Sequence, residues 1–328
     1  MNNWLTAACV AVGAGLVVAC TAQEHSATQG ATGPRPGTVV QIKPSRIILM
    51  KVAQAGSRLV TVGERGFVLV SDDLGRTWRA VGTPVTRTLT GVAFEDDRNG
   101  IGVGHGASIV RTVDAGDTWT AVNVEEDAGS DSFLGVTSLG NGRFLAYGAF
   151  GLYMVSTDHG ATWERHQIIS EEFENHVSEV VPVNGALWLV AEYGTIARSD
   201  DGGTTWTAIE SPYTGSFFGA VVARDGAIVV FGMRGRIYRS ADGGATWQQV
   251  ESGTTQAFND GTVLSDGRIV LVGNSGLVAE STDNGASFRI GWSPARRGFA
   301  SVAEANGGLV VAGEGGVGSL DPARLTRS

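Results

Sequence analysis

One pattern recurs six times along this chain and dictates what it can fold into. The segments SDDLGRTW (71–78), TVDAGDTW (112–119), STDHGATW (156–163), SDDGGTTW (199–206), SADGGATW (240–247) and STDNGASF (281–288) share Ser/Thr-x-Asp-x-Gly-x-Thr/Ser-aromatic. Their third-position carboxylates, Asp73, Asp114, Asp158, Asp201, Asp242 and Asp283, follow one another at intervals of 41 to 44 residues. A decayed seventh copy begins at Ser319-Leu320-Asp321. A period near 41 is that of a four-stranded propeller blade, so the chain is predicted to be an all-β, seven-bladed β-propeller.

The motif makes sense as a hairpin between two strands. The Asp side chain can accept hydrogen bonds from nearby backbone N–H groups, and the Gly supplies a positive φ without a Cβ penalty. The aromatic residue then starts the next strand with a large apolar surface. On this reading the six aspartates are structural. A second periodic feature lies upstream of each: Val62-Gly63-x-x-Gly66, Val103-Gly104-x-Gly106, Tyr147-Gly148-x-x-Gly151, Ala191-x-x-Gly194, Phe231-Gly232-x-x-Gly235, Val272-Gly273-x-x-Gly276 and Ala312-Gly313-x-Gly315. Apolar alternation flanks these turns, so they join strands. The seventh unit stops soon after its third strand, and the β-prone piece Thr38-Val-Val-Gln-Ile42 is unassigned. Residues 38–43 are therefore expected to supply the outer strand of blade seven, closing the ring as one domain over 38–328 and keeping blade edges protected.

The Asp hairpins resemble the bacterial neuraminidase repeat. The combination of VG-x-x-G, a strand and S-x-D-G-G-x-T-W resembles the photosystem II stability/assembly factor family and its non-photosynthetic bacterial relatives, over about residues 45–321. The resemblance implies a non-enzymatic seven-bladed scaffold that holds a partner protein. The family's photosynthetic members carry an arginine-rich patch that has no counterpart placed here, and seven Asp or Glu residues fall in just two loops. The photosynthetic partner is therefore not carried over.

Glycine, at 48 of 328 residues, is about twice as frequent as its usual ~7 %, as many tight turns require. The net charge of −9 argues against nucleic acid or an anionic bilayer surface as partners. Residues 1–19 are uncharged, with an apolar run from Leu5 to Ala19. That run is shorter than the ~20 residues a spanning helix needs and reads as a signal-peptide core. Val17-Val18-Ala19-Cys20 resembles a lipobox, although Met1-Asn2-Asn3-Trp4 lacks the usual basic residue. The expectation is cleavage before Cys20, lipidation of its thiol and a flexible tether over 20–37. Thr21 after the Cys implies, by the sorting pattern it resembles, the periplasmic side of the outer membrane. An ordinary secreted protein cut near Ala22 is the alternative. With Cys9 and Cys20 the only cysteines, the folded body then contains no thiol.

In a propeller the Asp hairpins lie on one face, and the Gly turns and blade-to-blade connections share the other, around the channel mouth. Candidate partner-binding residues are sought there. Counting 25 residues back from each Asp lands on Ile48, Leu89, Phe133, His176, Phe217 and Phe258, with Phe299 in the last unit. These are either an aromatic collar at the mouth or wedges between blades. The turn tips add Arg65, His105, Glu192, Tyr193 and Arg234. Two acidic connections, Glu125-Glu126-Asp127 with Asp131 and Glu171-Glu172 with Glu174, would form one negative sector. It could receive a basic partner or a cation, or be merely solvated.

Catalytic readings find less support. A sialidase-like or other glycan-active propeller needs an arginine triad and a Tyr–Glu pair, and only Tyr193 beside Glu192 offers the latter at a mouth turn. The five histidines lack metal-ligand spacing and no phosphate loop occurs, so neither metal nor cofactor is expected. The sequence thus points to a monomeric, lipid-anchored accessory or assembly factor for an envelope protein complex, with a glycan-active or glycan-binding propeller as the alternative.

Overall fold

A computed structural model describes residues 47–124, 131–305 and 307–326. The expected lipidation site Cys20, the tether, the closing strand 38–43 and the acidic run Glu125-Glu126-Asp127 all lie outside them. The described chain forms seven antiparallel sheets whose strand order follows the sequence from the channel outward. Blades one to seven occupy 49–81, 89–122, 133–165, 177–209, 217–250, 258–292 and 299–320. The molecule is a seven-bladed β-propeller, as the repeat requires.

The Asp hairpins close by a fixed set of bonds. In blade three, Thr162 N and Oγ1 donate to Asp158 Oδ1 and Oδ2 at 2.9 and 2.6 Å, and Ser156 Oγ donates to Oδ1 at 2.9 Å. Gly160 N donates back to Ser156 Oγ at 3.0 Å, and Trp163 Nε1 to Gly160 O at 3.2 Å. The same bonds from the Thr or Ser at the seventh position reach Asp73, Asp114, Asp201, Asp242 and Asp283. Each aspartate is thus committed to its own hairpin.

The hairpin aims its aromatic ring at the preceding blade. Trp119 joins Val60, Val62 and Val70 of blade one, and Trp163 packs with Ile101 of blade two. Trp206 meets Tyr153 of blade three edge-on at 6.1 Å, and Trp247 meets Trp188 of blade four at 6.4 Å. Trp78 completes the circuit against Ala305 and Val310 of blade seven. Burial of such rings is worth about 2–3 kcal/mol each, so these contacts, rather than the hydrogen bonds, hold neighbouring blades together.

Blade seven shows three strands among the described residues. Its third strand, Gly316–Leu320, leads into a turn where Asp321 Oδ1 accepts from Ala323 N at 2.9 Å. Thr326 then pairs with Trp292 of blade six. Cavities of about 420 and 720 Å³ are both lined by Val317–Leu320.

Asp158→Ala is expected to cost about 0.5–2 kcal/mol, as other side-chain-to-backbone caps do. Partial burial alone would raise the Asp158 carboxyl's pKa, but hydrogen bonds from Thr162 and Ser156 override this and bring it down to about 2. Its contribution is present above the unfolded-state value near 4 and lost as pH falls toward 2. Melting curves should show the gap between wild type and variant narrowing over that window. A gap independent of pH would refute the assigned role.

Candidate functional site

The mouth face is built where two kinds of connection touch. In every blade the first residue of the Gly turn donates its N–H to the carbonyl just before the inner strand, as in Glu64 N→Ile48 O at 3.0 Å and Glu192 N→His176 O at 3.1 Å. In six blades the residue before it is a glycine packed close to that carbonyl, and in blade four it is Ala191. A Cβ on Gly63 would lie 2.2 Å from Ile48 O, and one on Gly148 would lie 2.1 Å from Ser132 O. The last glycine, left-handed in most blades, meets the connection arriving from the outer strand. A Cβ on Gly194 would sit 1.8 Å from Tyr213 O. The last glycine of the pattern is therefore a steric requirement in blade four, whereas the first position accepts Ala191 there.

Between these glycines the turn places a second residue in the left-handed region: Arg65 (φ 57), Phe150 (φ 53), Tyr193 (φ 53), Arg234 (φ 59) and Ser275 (φ 57). Bulky side chains are uncommon there and pay about 1–2 kcal/mol each. Blade two fills the same position with Gly106 (φ 63), which carries no such cost. These side chains nevertheless stand in solvent, with Tyr193 75 % and Phe150 59 % exposed. Met233 at 37 % and Ile48 at 44 % add further apolar surface on this face. Phe150 meets His176 edge-on at 4.8 Å. His176 is held in turn by Glu192, which lies 3.5 Å from Nδ1 and accepts from the backbone N at 3.2 Å. Phe150, His176, Glu192 and Tyr193 thus form one patch across blades three and four.

The expected aromatic collar is corrected by one residue. Phe133, Phe217 and Phe258 are fully buried within the blade cores and present no binding surface, and Phe299 is half-buried against blade six. They are wedges. Leu49 and Val177, rather than Ile48 and His176, occupy the equivalent positions in blades one and four, opposite Gly63 and Ala191, the residues just before the turns. In all seven blades a β-bulge follows that position. Bulges re-aim a side chain. The skipped residues, Met50, Thr90, Leu134, Ser178, Phe218, Asn259 and Ala300, line a cavity of about 400 Å³ at the mouth of the channel.

The next position on each inner strand carries charge from three blades. Lys51 Nζ donates to Asp260 Oδ1 at 2.9 Å and lies 4.0 Å from Glu179 Oε1. The carboxylates also accept from neighbouring blades, Glu179 Oε2 from Ala220 N at 2.9 Å and Asp260 Oδ2 from Val302 N at 3.0 Å. Burial alone would lower the Lys51 pKa, but Asp260 and Glu179 override it and hold the ammonium charged. Desolvation drives the Glu179 carboxyl the other way, up to about 7, with Lys51 opposing and Asp260 reinforcing. Sequence alone does not reveal this group, because its members are 81 to 209 residues apart and sit singly in strands of ordinary alternation.

The other candidates lie apart from this centre. His105 is an exposed turn residue bridged to Ser132, and Arg65 and Arg234 project from blades one and five. Glu171, Glu172 and Glu174 are exposed, whereas Asp131 is half-buried. Among the described residues no three His, Cys, Asp or Glu side chains converge as a metal site.

Tyr193→Gly should relieve about 1–2 kcal/mol of local strain and lose about 0.5–1 to unfolded-chain entropy, leaving stability equal to or slightly above wild type. Gly194→Ala, one residue on, should instead destabilise by about 2 kcal/mol or more. Paired melting curves test the turn geometry, and a large loss for Tyr193→Gly would contradict it.

No curated protein matches the sequence. Solved structures match over most of the chain. "YCF48 bound to D1 peptide" aligns at TM-score 0.70 and 16 % identity, covering 85 % of this chain and 94 % of that one. YCF48 from Cyanidioschyzon merolae aligns at 0.67 and 16 %, covering 85 % and 96 %. The WD40 β-propeller domain of Doa1 aligns at 0.66 and 15 %, covering 88 % and 98 %. At these identities the structures speak for the fold alone. Residues 70–290, more than half of the chain, match the sequence family described as photosynthesis system II assembly factor YCF48, and the chain belongs to that family.

Proposed function

We propose that this chain is a non-enzymatic scaffold that holds a segment of an envelope protein complex against its channel-mouth face. One observation carries the reading: Phe150, Tyr193, Arg65 and Arg234 keep large exposed side chains in a backbone conformation that glycine would adopt without cost. Strain retained at solvent-facing positions, repaid only at Phe150 by an edge-on contact with His176, points to a role in contact. Family membership supports an assembly role, and a related structure is described as binding a D1 peptide. An extended peptide segment, some of it apolar, suits a face whose exposed side chains are Phe150, Tyr193, Met233 and Ile48. The glycan-active alternative is less well supported. The Glu192 oxygens are directed to His176 rather than to Tyr193, and Arg65 and Arg234 belong to separate blades.

The test is affinity capture from solubilised envelope with wild type, Phe150→Gly/Tyr193→Gly and Asp158→Ala. The mouth double variant should lose at least tenfold of the bound complex while melting like wild type, and Asp158→Ala should retain binding. Loss of released-sugar turnover in the double variant, with the captured complex unchanged, would favour the glycan reading.

The anchoring proposal rests on Val17-Val18-Ala19-Cys20. We infer that Cys20 is lipidated and tethers the propeller to the periplasmic side of the outer membrane. A fatty-acid probe should label wild type and not Cys20→Ser, and an unlabelled wild type would sink the proposal.

A further inference from the structure

The cavity at the channel mouth carries an unusual charge balance. Its deepest polar groups are two carboxylates, Glu179 and Asp260, against one ammonium, Lys51. The ammonium is shared unequally, at 2.9 Å from Asp260 and 4.0 Å from Glu179. Asp260 is fully engaged, with Lys51 on one oxygen and Val302 N on the other. Glu179 is not. Oε2 takes the Ala220 N–H, whereas Oε1 has only the distant Lys51. The Glu179 side chain keeps 20 % of its surface exposed, so Oε1 faces the cavity and is open to a cationic group entering it.

The position of Glu179 is enforced rather than incidental. Its Oε2 lies against Gly219 of the next blade, where a Cβ would sit 2.8 Å away. The aromatic ring of Phe231 closes the same space at 2.5 Å, so the carboxylate cannot retreat into blade five. The bulge residues Met50, Leu134 and Phe218 give the cavity an apolar lip on part of its rim, beside the polar Thr90, Ser178 and Asn259. Apolar surface beside an excess carboxylate matches an unbranched side chain with a cationic end, whose methylene stem lies along that surface while the charge is paired. The volume of about 400 Å³ is at the lower end of the ~300–1,000 Å³ usual for ligand pockets, enough for one such side chain.

We propose that the channel mouth is an anchor pocket for a single lysine or arginine side chain of the bound partner, with Glu179 as its principal acceptor and Asp260 held as the internal partner of Lys51. The source of that side chain rests on the proposed docking of a partner on the mouth face. The charge preference of the pocket does not. The titratable groups facing Glu179 are Lys51 from blade one, Asp260 from blade six and Tyr147 from blade three, the last raised to about 12 by burial and the Glu179 charge. Desolvation raises the Glu179 carboxyl toward neutrality, so cation affinity should rise with pH as Glu179 loses its proton.

The experiment titrates the full chain with acetylated, amidated Ala-Arg-Ala, Ala-Lys-Ala, Ala-Glu-Ala and Ala-Leu-Ala, following the protein by NMR, with methylguanidinium as a free-cation arm. The basic peptides should bind in preference to the acidic and apolar ones, and at least tenfold more tightly at pH 8 than at pH 6. Glu179→Gln preserves the acceptor for Ala220 N and should weaken basic-peptide binding about tenfold while abolishing the pH dependence. Lys51→Met should strengthen it, because both carboxylates then face the ligand. Methylguanidinium should bind at least tenfold more weakly than Ala-Arg-Ala, since it lacks the stem that the apolar lip receives. Equal affinity for the free cation would overturn the side-chain anchor. Preference for Ala-Glu-Ala, or a Glu179→Gln affinity equal to wild type in a folded protein, would overturn the pocket altogether. Because these probes need no envelope partner, the result stands apart from the capture experiment.

Discussion

No blade of this molecule can bury its own sheet. A four-stranded antiparallel sheet with apolar residues on both faces is stable only if each face is covered, and in a ring each blade is covered by its two neighbours. The inter-blade aromatic contact is therefore the interaction on which everything else depends. It is also why the Asp hairpin repeats so faithfully. The carboxylate fixes a tight turn, the turn fixes where the next residue begins, and that residue is the ring that reaches the preceding blade. Trp119, Trp163 and Trp206 are almost fully buried, while of the aspartates that aim them Asp114 and Asp158 are half-buried and Asp201 is exposed. The conspicuous charged residue in the motif is the device, and the buried indole is the result.

This division explains how much could be read from sequence. The Asp hairpin and the VG-x-x-G turn are local, each stated within about eight residues, and repetition fixes the period and hence the blade number. Features that depend on how blades face one another were less legible. The count of 25 residues from each Asp is off by one in blades one and four, so Ile48 and His176 were grouped with Leu89 and Phe133 although Leu49 and Val177 are their equals. The bulge in every inner strand then turns the following side chain toward the channel. A period-two reading has no signal for that one-residue shift, which moves the collar from Phe217 to Phe218. Lys51, Glu179 and Asp260 were invisible for a different reason. Nothing in a sequence marks three solitary charges as neighbours until the ring is closed.

The two faces of the disc answer to different constraints. On the hairpin side the residues at each motif position are alike because one hydrogen-bonding scheme serves six turns. On the mouth side the glycines are alike apart from Ala191 in blade four, most of them with a carbonyl about 2 Å from where a Cβ would be, but the residues between them differ from blade to blade. Arg65, Phe150, Tyr193, Arg234 and Ser275 share a backbone conformation and nothing else. Uniform backbone with divergent side chains is the arrangement that lets a repeat protein present a specific surface without altering its fold.

The same logic reaches into the channel. Three inner strands have glycine at the position after the bulge, Gly91, Gly135 and Gly219, and side chains from elsewhere fill the space: the Tyr147 ring over Gly135, the Phe231 ring and the Glu179 carboxylate over Gly219. Polar side chains from other blades cross the seams, with Thr90 donating to Phe133 O at 2.8 Å, Thr137 to Val180 O at 2.7 Å and Ser301 accepting from Val52 N at 3.2 Å. These bonds pair donors with acceptors and leave no charge over. Among these channel-lining seam contacts, the Lys51 group combines a seam contact with an unbalanced charge. A purely structural bolt between blades would gain by being neutral, because in a partly buried site an unpaired charge costs more than its hydrogen bonds return. The excess carboxylate at the mouth of the channel is therefore better explained by what the channel receives than by what holds the ring together.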